Sequence, residues 1–180
     1  MSYLFSSFVF YSFIGFLIEV VFSRFIRGKR HDRKCFFLSP LCPVYGFGAI
    51  AILALPTFIM DRPGLLFLAG AFTATVVEYL IALFYEYGVG VKFWDYSDLR
   101  ANLSGRVSLL FSVFWGLLSC LLVYGLHPLI HPFLASIPPV LVGILFILVS
   151  LDAIYSIVLL HTTGDRDSLK WYAKFQNQSS

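Results

Sequence analysis

Acidic side chains inside apolar stretches are the residues of this sequence best placed to do chemistry. Glu19, Glu78 and Asp152 each lie within a long hydrophobic run, and Glu86 lies near the end of one. A charge at the centre of a bilayer costs at least about 2.5 kcal/mol, so such residues usually face a cavity or a partner. Helix rise places the first three within roughly 8 to 12 Å of the same membrane boundary. Acids that converge there could bind a cation or carry protons.

Small and hydroxyl residues share helix faces with these acids. Such residues let helices approach closely and form hydrogen bonds between them. The stripe around Glu19 contains Ser12, Gly15 and Ser23. The stripe around Glu78 contains Ala71, Ala74, Thr75, Ala82 and Tyr85. Along the fourth run, Ser108, Ser112, Trp115 and Ser119 share one face. Two interpretations stay open: the acids line a polar cavity, or they hold the bundle together. Arg106 is the candidate counter-ion.

The elements that position these residues are apolar helices. Of the 180 residues, 59% are hydrophobic and 13% are charged, about half the charge of a soluble domain. A membrane-spanning helix needs about 20 apolar residues. Five runs approach that length: 4–23, 42–60, 64–86, 107–126 and 138–160. Proline and glycine between the runs are expected to break the helices. The sequence therefore predicts one all-α domain, a polytopic membrane bundle of about five helices.

The basic residues predict how this bundle is oriented. Twelve of the 13 Lys and Arg residues fall after the first, third and fifth runs, and Arg62 is the exception. The positive-inside rule places that side in the cytoplasm, with the N-terminus outside and the C-terminus inside, in the cell inner membrane. The dense basic stretch 24–34 is interpreted as a topology signal beside membrane lipids, and no nucleic-acid partner is expected.

Cysteine and histidine predict no cofactor and no metal site. Cys35, Cys42 and Cys120 would lie in a reducing compartment or a span, so no structural disulfide is expected. His127 and His131 are each followed by proline. Because proline disfavours helix at the preceding residue, we expect loop histidines and not a helical metal pair.

Two connecting stretches have the composition of ordered segments. Stretch 39–48 contains Pro40, Pro43, Tyr45 and two glycines, which permit close packing or a broken helix start. Stretch 93–106 contains Trp94, Asp95, Tyr96 and Asn102, and its aromatic residues favour the membrane interface. In the tail 161–180, apolar and lysine residues predict a short interfacial helix: Leu169, Lys170, Tyr172, Lys174 and Phe175.

Several of these stretches resemble one bacterial membrane protein family. They are 11–16 with Glu19, 37–48, Glu78-Tyr79, Glu86, 93–97, Asn102 with Gly105-Arg106, and Trp115-Gly116. Together they are similar to the family described as putative ABC-transporter type IV, or CmpB-like. The chain has Ser39 and Phe93 where the family usually has Gly and Trp. The resemblance implies a transport permease.

Three functions follow as hypotheses. The first is a transport component with an acid-lined, cytoplasm-facing cavity for a small cationic or amphiphilic solute. The chain contains no Gly-x4-Gly-Lys-Ser/Thr loop to cradle ATP phosphates. Its energy source would therefore be a separate ATPase or other membrane subunit, or an ion gradient. Assembly as a homo-oligomer is a further possibility that the sequence leaves open.

The second hypothesis is an enzyme acting on a lipid or isoprenoid within the membrane, although no nucleophile–base set is recognisable. The third is an accessory or regulatory protein with structural acids. The candidate pathway residues are Glu19, Glu78, Glu86, Asp152, Arg106, Asp95, Trp94, Tyr96, Tyr45, Asn102 and Trp115.

Overall fold

Long apolar helices form the body of the protein. The computed structural model describes residues 2–26 and 35–170. Helix α1 spans Ser2–Ile26 and helix α4 spans Pro63–Leu83, which continues as a π-helical turn to Val89. Helix α5 spans Leu109–Cys120 and continues through a second π-helical turn into α6, His127–Ser136. Helix α7 spans Pro139–Thr163. Four stretches are long and apolar enough to cross a membrane, which confirms the predicted all-α membrane bundle.

The stretch 42–60, predicted as one span, is divided. It consists of α2, Pro43–Leu53, and the short α3, Thr57–Met60, with Pro56 immediately before α3. The 11 residues of α2 cover about 16 Å, roughly half of the hydrocarbon thickness. The preceding segment 35–42 is not helical. Its Cys42 amide donates to the carbonyl of Ser12 in the middle of α1, so non-helical backbone lies at the depth of the bundle.

The helix that contains the two histidines does not break where the prolines predicted. It runs past Pro128 and Pro132 and ends at Ser136, before Pro138. The π-helical turn Leu121–Leu126 precedes Pro128, and such adjustments re-satisfy backbone groups that proline frees. The expectation that His127 and His131 lie in a loop is therefore wrong, since both are helical.

Most of the described basic residues lie at one end of the bundle, and Arg62 lies at the other. At the first end α1 ends and α5 begins, and Phe22 contacts Phe111 edge to face. Arg166, in a 3₁₀ turn after α7, donates to the carbonyl of Phe93 at 2.8 Å. We call this the basic end. The basic stretch 27–34 and residues 171–180 of the predicted interfacial tail lie outside the described residues.

A compact loop, residues 90–108, covers the basic end. Strands β1 (Asn102–Leu103) and β2 (Val107–Ser108) pair antiparallel within it. Gly105 makes the tight connection with φ of +69°, a conformation that glycine adopts without steric cost. A Cβ atom at Gly105 would also collide with Asp95 and Ser97.

Close packing between α1 and α2 depends on two glycines. A Cβ at Gly15 would collide with the ring of Tyr45, and one at Gly46 would collide with the Ser12 hydroxyl. Helix α2 also packs on α4, and α4 packs on α5. The first turn of α2 is thereby held between α1 and the α4–α5 pair.

Candidate functional site

Glu19 meets the first turn of α2 inside the bundle. Its side chain is 7% exposed, and its Oε1 accepts a hydrogen bond from the Tyr45 hydroxyl at 2.9 Å. Tyr45 reaches Glu19 because α2 begins midway across the bundle and because Gly15 leaves room for its ring. The division of the stretch 42–60 therefore positions this contact.

Glu78 joins three elements at a nearby point. It lies on α4 and is 3% exposed. Its Oε1 accepts from the Tyr96 hydroxyl, and its Oε2 accepts from the Trp115 indole nitrogen, both at 3.0 Å. Tyr96 comes from the 90–108 loop and Trp115 from α5. A loop side chain at the basic end thus reaches an acid in the membrane-spanning part.

Aromatic rings connect the two acids. The rings of Tyr45 and Trp115 have centroids 5.0 Å apart. The rings of Tyr96 and Phe111 stack with centroids 4.5 Å apart. The ring of Tyr45, whose hydroxyl bonds Glu19, thus lies beside the ring of Trp115, whose indole nitrogen bonds Glu78.

The two acids and four rings border one cavity of about 310 Å³, which we call the Glu19–Glu78 cavity. The other described residues that line it are apolar: Ile18, Phe22, Val44, Phe114, Leu117, Leu118 and Leu121. A smaller space of about 90 Å³ adjoins it between α1 and α5, and we call this the apolar seam. The seam shares Ile18, Tyr45, Trp115, Leu118 and Leu121 with the cavity and continues along α1 to Tyr11.

Asp152 lies elsewhere and binds backbone. Its carboxylate accepts from the amides of Leu38 at 3.0 Å and Ser39 at 2.7 Å. The neighbouring Ser156 hydroxyl accepts from the amide of Phe37 at 2.8 Å. Unsatisfied amides are costly at membrane depth, so α7 supplies the acceptors that the non-helical segment needs. Asp152 does not line the Glu19–Glu78 cavity, contrary to the expectation that all three buried acids share one pocket.

Glu86 pairs with Arg106 near the basic end. The Arg106 Nε donates to Glu86 Oε2 at 2.8 Å, and its Nη2 donates to the Tyr87 hydroxyl at 3.1 Å. The hydrogen bond to Glu86 raises the pKa of Arg106 above its ordinary value. The Arg106 carbonyl accepts from the Trp94 indole at 2.8 Å. Arg106, the predicted counter-ion of the intramembrane acids, thus ties the loop to the end of α4.

Asp95 and Asn102 shape the same loop. Asp95 accepts from Lys92 and from the amide of Ser97, at 2.7 and 2.9 Å. The Lys92 ammonium and the Ser97 hydrogen bonds hold the pKa of Asp95 well below its usual range. Asn102 donates to the Leu99 carbonyl and accepts from the amide of Gly105. These two residues stabilise the fold of the loop that carries Tyr96.

A histidine–tyrosine cluster near the start of α1 was not predicted. The Tyr11 hydroxyl lies 2.7 Å from His127 Nδ1, and the Tyr3 hydroxyl lies 3.3 Å from His127 Nε2. The His131 ring is 5.5 Å from that of His127. The four-residue spacing of the histidines was the available signal, but the prolines argued against a helix. No group of three or more His, Cys, Asp or Glu side chains able to hold a metal occurs among residues 2–26 and 35–170.

The fold and the buried acids define a class: a multi-pass helical membrane protein in which non-helical backbone and a half-length helix lie between full-length helices. The family model described as putative ABC-transporter type IV matches residues 6–158. The chain belongs to this family, and the resemblance noted in its sequence is confirmed. Comparisons with curated proteins and with solved structures gave no match.

Proposed function

We propose that this protein is the permease-like component of a transporter and binds a small cationic or amphiphilic solute in the Glu19–Glu78 cavity. One observation carries the proposal: acids from two helices border a single cavity beside a helix that starts midway across the bundle. In many transporters, substrate sites lie near the bilayer midplane where helices are discontinuous. Here the same interruption brings Tyr45 to Glu19.

The cavity lies toward the basic end of the bundle. Phe22 and Phe111, which meet near that end, and Tyr96 from the covering loop all line it. By the positive-inside rule this end faces the cytoplasm of the inner membrane. The 90–108 loop, fastened by the Arg106–Glu86 pair, would then separate the solute from the cytoplasm.

Energy for directed movement would come from outside this chain. The family is described as a putative ABC transporter, so a separate ATPase or other membrane subunit is one source that the proposal admits, and an ion gradient is the other. Functional tests are therefore best made in native cells, where any partner is present.

The test compares Glu19→Gln with a control acid at the surface. The amide oxygen of the introduced glutamine could still accept the hydrogen bond from Tyr45, so the substitution removes charge with little change in shape. Asp98→Asn alters an exposed acid in the loop and is the matched control. Accumulation of ethidium, tetraphenylphosphonium and tetramethylammonium would be measured in native cells with these variants and in a deletion strain.

We expect the deletion to change the accumulation of at least one of these cations. Glu19→Gln should then resemble the deletion, and Asp98→Asn should resemble the unmodified protein. Unchanged accumulation of all three cations in the deletion strain would refute transport of a cationic solute. A Glu19→Gln variant with normal accumulation, where the deletion has an effect, would refute the role of the cavity.

A second candidate is an accessory protein whose acids serve the fold. The contacts of Asp152 with backbone amides and of Glu86 with Arg106 favour this function for those two residues. It predicts that Glu19→Gln lowers thermal stability in detergent but leaves cation accumulation unchanged.

A further inference from the structure

We propose that His127 and His131 bind a late first-row divalent metal ion, such as Zn²⁺, Ni²⁺ or Cu²⁺, at the end of the bundle opposite the basic end. We call this end the far end. Neither histidine lines the Glu19–Glu78 cavity, and the inference does not depend on the proposed function. It combines the spacing of the two imidazoles with the contacts that orient one of them.

The two imidazoles are spaced like a pair of ligands to one metal ion. His127 and His131 are four residues apart in α6, so both lie on one face of the helix. Their ring centroids are 5.5 Å apart, and their planes are inclined by 75°. Two imidazole nitrogens at about 2.1 Å from a tetrahedral metal ion hold their ring centroids about 5 Å apart. Little movement of either side chain is therefore needed to bring both to one ion.

Tyr11 orients the imidazole of His127. The Tyr11 hydroxyl lies 2.7 Å from His127 Nδ1, and the Tyr11 side chain is 3% exposed. With its proton on Nδ1, His127 donates to this hydroxyl oxygen and presents the Nε2 lone pair to a metal. Histidine ligands almost always donate their second N–H to such a partner, which fixes the tautomer and the ring orientation. Tyr11 is thus a positioning residue for this site.

The Nε2 atom of His127 lies toward the far end, as does His131. Its neighbour there is the hydroxyl of Tyr3, at the longer distance of 3.3 Å. Tyr3 is in the first turn of α1, two turns before Tyr11. The Tyr3 ring also lies 5.2 Å from the ring of His131. Tyr3 therefore borders both imidazoles and supplies an oxygen donor beside them.

A buried hydroxyl without a partner lies along the same strip of α1. Ser7 is 1% exposed, and within residues 2–26 and 35–170 its Oγ has no hydrogen-bond partner. Ser7 is one turn from both Tyr3 and Tyr11 and, at about 100° per residue, midway between them around the helix. Because both tyrosines reach His127, Ser7 lies beside that imidazole. A metal ion with two histidine ligands keeps water in its open positions, and such water would satisfy this hydroxyl.

His131 can take a metal ion from water. Its side chain is exposed, and it lies about 33 Å along the helical stretch that begins at Leu109. That distance exceeds a hydrocarbon core of about 30 Å. The positive-inside rule places the far end outside the cell, so an external metal ion reaches the site without crossing the membrane.

The ligand types select the class of metal. Imidazole nitrogen suits Zn²⁺, Ni²⁺ and Cu²⁺, whereas Mg²⁺ and Ca²⁺ prefer oxygen ligands. With two protein nitrogens, and with water and the Tyr3 hydroxyl for the other positions, the site is open and its ion is exchangeable.

The experiment measures Zn²⁺ binding by isothermal titration calorimetry. Full-length protein without a histidine tag is used in lipid nanodiscs, and the signal of empty nanodiscs is subtracted. His131→Ala is the decisive variant, because this exposed side chain can be shortened without opening the core. Loss of a partner that orients a ligand costs about 10- to 100-fold in affinity. Loss of the ligand His131 should therefore cost at least about a hundredfold, and Tyr11→Phe about tenfold.

Spectroscopy separates the ligand from the positioning residue. Electron paramagnetic resonance of bound Cu²⁺ should show coupling to two nitrogens in the unmodified protein and in Tyr11→Phe, but to one in His131→Ala. The controls His161→Ala and His31→Ala change the other two histidines of the sequence and should leave Zn²⁺ affinity unchanged. Excess Mg²⁺ should not displace Zn²⁺.

Melting temperatures give a second readout. A ligand that binds only the folded state stabilises it, so Zn²⁺ should raise the melting temperature of the unmodified protein and not that of His131→Ala. Unchanged affinity in His131→Ala, displacement of Zn²⁺ by Mg²⁺, or absence of Zn²⁺ binding by monodisperse protein would each overturn the inference. Glu19→Gln should bind Zn²⁺ as the unmodified protein does, so failure of this site leaves the cation-accumulation test of the proposed function untouched.

Discussion

Replacement of Asp152 should open the non-helical segment 35–42. The carboxylate accepts the amides of Leu38 and Ser39, with the shortest contact at 2.7 Å. Asparagine keeps one acceptor oxygen but turns an NH₂ group toward the second amide. A hydrogen bond to a charged group contributes about 1.5 to 3 kcal/mol. We therefore expect Asp152→Asn to favour local opening by about 2 kcal/mol, or roughly thirtyfold.

Two cysteines report on this opening directly. Cys35 and Cys42 are at the two ends of the segment and are 4% and 2% exposed. In a Cys120→Ser background, their labelling by a membrane-permeant maleimide should accelerate about thirtyfold in the Asp152→Asn variant. Ser156→Ala should accelerate labelling less, because it leaves one amide without its acceptor.

The control changes a half-buried serine of the same helix, Ser150→Ala, and should leave labelling unchanged. Equal labelling rates for the unmodified protein and Asp152→Asn would refute the view that this carboxylate holds the segment in place. Acceleration in the Ser150→Ala variant would show that labelling reports general loosening of α7.

Three further predictions concern the loop at the basic end. Arg106→Lys should lower the melting temperature in detergent, because lysine cannot bond Glu86 and the Tyr87 hydroxyl with the same planar group. The pKa of Asp95 is depressed, so its contribution to the stability of the loop should be complete above pH 4, near its ordinary pKa of 3.8. That contribution should be lost only as the pH drops further. Amide hydrogen exchange of the loop should show this, and Asp95→Asn should abolish the acid dependence. Gly105→Ala should lower the melting temperature through strain of at least about 1 kcal/mol, whereas Gly143→Ala, which meets open space, should not.

The long helices could be predicted because about 20 consecutive apolar residues have one stable arrangement in lipid. The division of 42–60 could not be located by hydropathy, since a half-length helix and a full one contain the same residue types. The glycines of stretch 39–48 were interpreted as permitting either close packing or a broken helix start. What they could not show is that Asp152, more than 100 positions later, supplies the acceptors that make the break tolerable.

The acids of the site were visible in the sequence, but their partners were not. Glu19 and Glu78 stood out because charge is rare in apolar runs. Their contacts with Tyr45 and Tyr96 join helix to helix and helix to loop across 26 and 18 positions, and no local periodicity encodes such pairs. Arg106 was expected to neutralise a buried intramembrane acid, whereas the structure pairs it with Glu86 near the basic end.

The dependence of segment 35–42 on α7 has a consequence for biosynthesis. The insertion machinery meets the chain from its N-terminus, and a helix of 11 residues is too short to be accepted as a span by itself. The amides of Phe37, Leu38 and Ser39 receive their acceptors only when the final helix has been made. Segment 35–42 can therefore take its final position only after α7 has been made, and a nascent chain truncated before residue 139 would lack the acceptors for these amides.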